Sequence, residues 1–249
     1  MKHIRKKNEP EKLRVYRQTT DGASYDGLPG DTKRELNLAL LKDQGFLCAY
    51  CMKPLAPKSK DVEGDVLSGV FDNKITIEHI YPRALCQTQM QHRQLDYKNL
   101  VAVCDGNSEG EFHCDKTQGP QGKASGQVSL ACLDPTDAKM SENLLTYLLD
   151  GTICAKSGRH ESCANHDLNT VLNLNHPVLQ RNRKAVFDVV KTSLEGEMPK
   201  GTWNQQLFDR QIERWKNLTS DKYGVRRYKP YCMAALDFLE KLKNSPKYQ

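Results

Sequence analysis

The sequence predicts an α+β fold: a small two-stranded core gathered around cysteines and embedded in a largely helical single domain. Three observations predict it. A close cysteine pair, Cys48-Ala-Tyr-Cys51, is answered later in the chain by Cys104 and Cys114. Between the pairs lie two short apolar runs, Ile75-Thr-Ile77 and Leu100-Val-Ala-Val103, with the length and β-branched character of strands. From Val178 onward, apolar residues recur at helical spacing in successive stretches.

The bulk numbers set the frame. At 249 residues the chain can bury a sizeable core, as one large domain or two small ones. Hydrophobic residues (38%) and charged residues (27%) are spread along its length, which excludes a disordered chain except at the ends. The net charge of +6 permits a polyanionic partner without requiring one. No apolar run approaches the roughly 20 residues that cross a bilayer. The opening Met1-Lys-His-Ile-Arg-Lys-Lys also has no apolar signal segment, so a cytoplasmic location is expected. Nine cysteines, an odd number with one C-x-x-C pair, point to metal ligation and free buried thiols more than to a disulfide framework.

Three parts are expected in order. Residues 1–30 read as a basic arm and loop, with Lys2, Arg5, Lys6, Lys7, Lys12, Arg14 and Arg17 around Pro10, then a stretch rich in Gly, Asp and Ser. Such an arm is either solvated or in contact with phosphate or a partner. Residues 31–125 read as the core. They open with a helix over Thr32 to Asp43, capped by Asp31 and ended by Gly45, which delivers the chain to Cys48. Residues 126–249 read as a mostly helical region packing on the core, whose polar helix faces are candidates for docking a partner.

C-x-x-C spacing places two thiolates on one tetrahedral ion, or makes a redox pair. A second ligand pair separates the two readings. Cys104 and Cys114 supply it, although nine residues lie between them where a compact zinc knuckle has two. A structural Zn²⁺ on Cys48, Cys51, Cys104 and Cys114 is the preferred assignment, with His113 as the substitute ligand.

The two strands, paired as a hairpin, bring Glu78-His79 and Asn99 together, and a short helix from about Cys114 is cut off by Gly119-Pro120. These residue types suit phosphodiester hydrolysis, which needs an activated water and a cation to neutralise the phosphorane. A neutral imidazole takes a proton near pH 7, so His79 is the candidate base. Glu78 offers a hard oxygen to Mg²⁺ or Mn²⁺, with Asp115 as the second ligand. Asn99 suits the orientation of His79, and Arg83 and Lys116 are candidate phosphate contacts.

At these residues the chain resembles the HNH endonuclease superfamily, whose ββα-metal core carries an acidic residue or histidine before a histidine on the first strand, then an asparagine in the following loop. The resemblance implies Glu78 as metal ligand, His79 as base and Asn99 as the central asparagine. The family's helix position is Cys-His in many members, where this chain has Cys114-Asp115. The start Met1 to Pro10, the Cys48-Ala-Tyr-Cys51 and Ile77-Glu78-His79 blocks, Leu168 to Asn175 and Arg181-Asn-Arg-Lys184 are similar to the PtuB family of Septu-type and retron-linked anti-phage systems. That similarity implies an ABC-type ATPase partner of the PtuA kind and, through the complex, a retron reverse transcriptase with its msDNA. The substrate stays open between DNA and an RNA such as tRNA.

In the second half, Leu144 to Ile153 reads as two strands about Asp150-Gly151 or as a helix ending there, and the family resemblance favours strands. A helix is expected from Pro177 to about Leu194, with Val178, Leu179, Val186, Val189 and Val190 inside and Arg181, Arg183 and Lys184 outside. Two more are expected over Asn204 to Asn217 and Tyr231 to Leu242. Cys154, His160, Cys163 and His166 invite a second-metal reading against a default of exposed loop residues, and Cys86, Cys132 and Cys232 read as plain buried thiols. Two further functions compete: a zinc-stabilised nucleic-acid-binding or adaptor module in which Glu78 and His79 are structural, and a redox protein using Cys48 and Cys51.

Overall fold

The computed structural model describes residues 1–55, 75–108, 110–117, 129–221 and 224–248. The stop expected at Gly119-Pro120 and the core boundary at 125 lie outside these residues. Within them, helices α1 (Glu11–Thr19) and α2 (Gly30–Asp43) pack through Leu13, Leu36, Leu40 and Leu41, all fully buried. α2 starts just after Pro29, ahead of the expected Asp31, whose carboxylate instead accepts the neighbouring Thr32 N–H at 2.8 Å within the first turn.

Gly45 ends this helix for two reasons. Its φ of +56° is open to glycine without strain, and a Cβ there would lie 2.3 Å from the Tyr228 ring. The chain then makes a tight loop in which Cys48 N–H donates to Lys53 O (2.9 Å) and Met52 N–H to Cys48 O (3.1 Å). Gln44 fixes the loop to the strands: its amide donates to Leu47 O and Ala102 O and accepts from Ala102 N, at 2.7–2.8 Å.

β1 (Ile75–His79) and β2 (Leu100–Cys104) pair antiparallel, with Ile75 opposite Cys104, Glu78 opposite Val101 and His79 opposite Leu100. Every residue of β2 is buried, as an apolar run covered on both sides should be. The connection holds a short helix, α3 (Arg83–Gln89), and 3₁₀ turns at Gln91–Leu95 and Tyr97–Asn99. Past β2, a small hairpin of β3 (Asn107–Ser108) and β4 (Glu111–Phe112) leads to a 3₁₀ turn, Cys114–Thr117. That turn is the part of the expected core helix that lies among the described residues.

The strand reading of the next segment holds: β5 (Leu145–Tyr147) pairs with β6 (Ile153–Ala155) across Gly151. Short α4 (Glu161–His166) runs into a π-turn at Asp167–Val171, and α5 (Pro177–Glu197), α6 (Gln205–Lys216) and α7 (Cys232–Lys243) pack together. Between α6 and α7 lies a two-residue strand pair, β7 (Thr219–Ser220) with β8 (Arg226–Arg227). Phe187 of α5 meets Phe238 of α7 with ring centres 4.9 Å apart.

The expected faces of α5 need correction. Val189 is 56% exposed, whereas Arg183, expected outside, is 1% exposed. The buried stripe is Leu179, Arg183, Phe187, Val190 and Leu194. Arg183 is tolerated inside because its guanidinium donates to Gly151 O and Leu174 O, both at 2.6 Å, capping two loop carbonyls that have no strand partner.

The expected arm is also packed at its start. Met1 and Ile4 are buried, Ile4 N–H donates to Pro135 O at 2.8 Å, and Lys6 reaches Leu100 O and lies 4.5 Å over the Tyr97 ring. Farther along, Lys12, Arg14 and Arg17 pair with Asp31, Glu11 and Glu9. Among the described residues no helix is long and apolar enough to cross a membrane.

Candidate functional site

The fold brings Cys48, Cys51, Cys104 and Cys114 together, all four buried, with ligand atoms within 4.8 Å of one another. Sulfur separations are 3.9 Å for Cys48–Cys114, 3.7 Å for Cys51–Cys104 and 3.9 Å for Cys104–Cys114. A tetrahedron with Zn–S bonds of about 2.3 Å has edges of about 3.8 Å, so the donor set has the size of a zinc site. Two backbone amides point at the sulfurs, Cys104 N–H at Cys48 Sγ (3.4 Å) and Lys53 N–H at Cys51 Sγ (3.5 Å), the second-layer hydrogen bonds that thiolate ligands accept.

Protonation follows from crowding. Burial works against a thiolate at Cys48, yet hydrogen bonds from Cys104, Cys114 and Cys51 hold it well below the ordinary thiol range, while burial holds Cys114 well above it. Without a cation the four sulfurs share protons. A soft divalent ion would replace those protons, so this buried group could hold a metal such as zinc.

The nine-residue spread before Cys114 has a structural explanation: β3 and β4 close it as a hairpin. Gly106, at φ +61°, lets His113 O approach to within 2.2 Å of where a Cβ would sit, and His113 N–H donates to Gly106 O at 2.8 Å. Cys114 adopts φ +56° and donates its N–H to Leu172 O at 2.7 Å, so the second half of the chain helps aim this sulfur inward. His113 is fully buried beside the group, with Nδ1 3.2 Å from Cys114 Sγ, and does not take the place of a thiol.

At the other end of the strand pair, Glu78 and Asp115 meet. Burial first, then the Asp115 charge and the hydrogen bond between the two carboxyls, hold Glu78 well above the usual carboxylate range. Two acidic groups in contact favour a shared proton or a shared cation. The Tyr50 hydroxyl, inside the Cys48-Ala-Tyr-Cys51 loop, is buried and has no hydrogen-bond partner among the described residues, and Glu78 and Asp115 head the charges acting on it. Two hard oxygens beside an orphaned buried hydroxyl fit a hydrated divalent cation such as Mg²⁺.

His79 follows Glu78 in β1 and is buried. Its Nε2 lies 2.9 Å from Gln94 O. A carbonyl only accepts, so Nε2 carries the proton and Nδ1 the lone pair. Tyr25 stacks edge-on against the ring at 4.7 Å, and Gln94 holds Tyr25 through a 3.1 Å bond from Tyr25 N–H to its side-chain oxygen. Burial pushes the imidazole below its usual range, which keeps it neutral at neutral pH.

Asn99 engages backbone. Its Nδ2 donates to Tyr81 O (3.2 Å) and Arg93 O (3.1 Å), and its Oδ1 accepts Tyr81 N–H at 2.8 Å. It therefore clamps both ends of the connection that presents Gln94 to His79. Arg83 pairs with Asp26 at 2.5 Å and lowers the proton affinity of both Glu78 and His79.

Sequence reasoning overlooked Tyr50, Tyr25 and Gln94. Tyr50 carried a signal, as a bulky polar residue inside a metal-type turn; the other two reach the site only through folding. It also misplaced the second cysteine–histidine group. Cys132, read as a plain thiol, comes together with His160 and Cys163, while Cys154 on β6 and His166 stay out of the group.

Fold and site together define a mixed protein of helices and small antiparallel sheets, with a buried four-cysteine group of metal-binding geometry. No protein-family model matches the chain, and no curated protein matches it.

Proposed function

We propose that the chain is an HNH-type endonuclease: a ββα-metal core, braced by zinc on Cys48, Cys51, Cys104 and Cys114, that hydrolyses phosphodiester bonds with one divalent cation on Glu78 and Asp115. The observation that carries this reading is the contact of those two carboxyls next to a histidine whose tautomer is dictated by a backbone carbonyl. An adaptor has no use for either feature, since apposed carboxyls cost stability unless something binds between them. The redox reading of Cys48 and Cys51 is disfavoured because two further thiols complete their tetrahedron.

In this mechanism His79 Nδ1 accepts a proton from the attacking water. The Gln94 carbonyl holds Nε2–H throughout, fixing the ring and facing its dipole to the imidazolium that forms. Asn99 keeps that carbonyl in place through Tyr81 and Arg93. Glu78 and Asp115 would hold the cation, which when bound would supply positive charge to the phosphate and the leaving 3′ oxygen. The resemblance to the PtuB family extends the proposal to a cytoplasmic anti-phage effector that works with an ABC-type ATPase.

The test is cleavage of DNA and of total RNA in Mg²⁺ or Mn²⁺, with and without that ATPase. His79→Ala should lower the rate by about 10²- to 10⁴-fold, the usual contribution of a general base, with zinc content and circular dichroism unchanged. Equal cleavage by His79→Ala and the parent chain would overturn the reading.

A further inference from the structure

A second group of soft ligands lies away from the strand pair. Cys132, His160 and Cys163 place one donor atom each within 4.8 Å of the others, with Cys132 buried and the other two half-buried. They come from two stretches of chain. His160 immediately precedes α4, and Cys163 lies within its first turn, in an H-x-x-C spacing that brings two donors to one side of a helical turn. Cys132 arrives from a loop 28 residues upstream of His160.

That loop is held in place by a built device. Asp167 is fully buried, and its carboxylate accepts three successive backbone N–H groups, from Ala131 (3.0 Å), Cys132 (2.7 Å) and Leu133 (2.9 Å). A carboxylate saturated by three amides is costly to bury and rigid once formed. Asp167 also begins the π-turn that follows α4, a distortion found often at functional sites. The chain thus buries a charged side chain to fix the one segment that brings Cys132 to His160 and Cys163.

We propose that Cys132, His160 and Cys163 form a second metal site, for Zn²⁺ or an ion of similar borderline softness. Two thiolates and an imidazole are the donors zinc takes in tetrahedral sites. With two of its three donors half-buried, the group is more accessible than the Cys48 group, and its ion exchanges faster. It does not depend on the nuclease reading.

The experiment is metal analysis of the full chain, purified under reductant, loaded with excess Zn²⁺ and desalted, beside Cys163→Ser and His160→Ala treated alike. The parent should carry one more zinc per chain than either variant, whatever the Cys48 group holds. Both substituted residues are half-buried, and circular dichroism checks that the variants fold. A second measurement needs no variant. Iodoacetamide should alkylate Cys163 slowly in the zinc-loaded protein and at least tenfold faster after a mild chelator. Equal zinc in parent and both variants, or alkylation of Cys163 indifferent to chelator, would overturn the proposal.

Discussion

The two ends of one strand pair do opposite things. At the Cys104 end of β2, four sulfurs are sealed from water, backed by amides and spaced for one ion. At the His79 end of β1, a half-buried carboxyl leans on another carboxyl, and a tyrosine hydroxyl nearby has no partner among the described residues. The first arrangement satisfies its groups and stiffens the core. The second holds one carboxyl protonated against its neighbour. Local satisfaction separates the part of the core that holds it together from the part for which catalysis is proposed.

The largest expected effect is at the sulfur end. Cys48→Ser removes a fully buried ligand whose sulfur also accepts the Cys104 amide. Metal-binding energy is folding energy in such a site, on the order of 10 kcal/mol for structural zinc, so the variant should lose cooperative thermal unfolding and go to inclusion bodies. A soluble Cys48→Ser with an unchanged melting curve would show that the four cysteines are mere packing.

The carboxyl end should respond in the reverse direction. Burial and Asp115 hold Glu78 protonated in the folded chain, at a cost near neutral pH where the unfolded carboxyl is ionised. Glu78→Gln is neutral in both states, so the metal-free protein should gain stability by about 1 kcal/mol while cleavage is lost. Differential scanning calorimetry in chelator, run beside the nuclease assay, checks both halves. A variant less stable than the parent would mean that Glu78 is a structural hydrogen-bonding partner of Asp115, and the contrast between the two ends would fail.

How much of this was legible in the chain depended on how locally each feature is encoded. Cys48 and Cys51 announce themselves because two sulfurs on one ion require a short loop, β2 because a short apolar run of β-branched character has few other uses, and β1 because Ile75 and Ile77 alternate as a strand requires. The convergence of Cys104 and Cys114 was legible as a pairing, though not the means: a hairpin hidden in Asp105 to His113 closes a gap that looked too wide. Arg183 was misread because periodicity marks which side of a helix is apolar, and cannot foresee that two loop carbonyls will need a donor there. Cys132 was illegible for a related reason. Its partners are fixed by Asp167, a residue 35 positions away that no local pattern links to it.

A pH-linked effect sharpens the contrast from beneath the His79 end. Lys6 donates to the carbonyl of Leu100, the residue opposite His79, and burial pushes its amine down to about 8 from an ordinary 10.5. Between those two values the unfolded chain binds a proton that the folded chain has released, so stability rises with pH across that window. Below about pH 8 both states are protonated, and the cost of burying the charge is constant and at its largest. Lys6→Met removes this dependence. Relative to the variant, the parent should gain on the order of 1–3 kcal/mol between pH 7.5 and 10.5, read as a melting-temperature difference that closes or reverses as pH rises. Tyrosines and thiols titrating in the same range are common to both proteins and cancel in the difference. Parallel curves would mean that Lys6 stays charged and solvated, and that the His79 end tolerates no more buried charge than the sulfur end does.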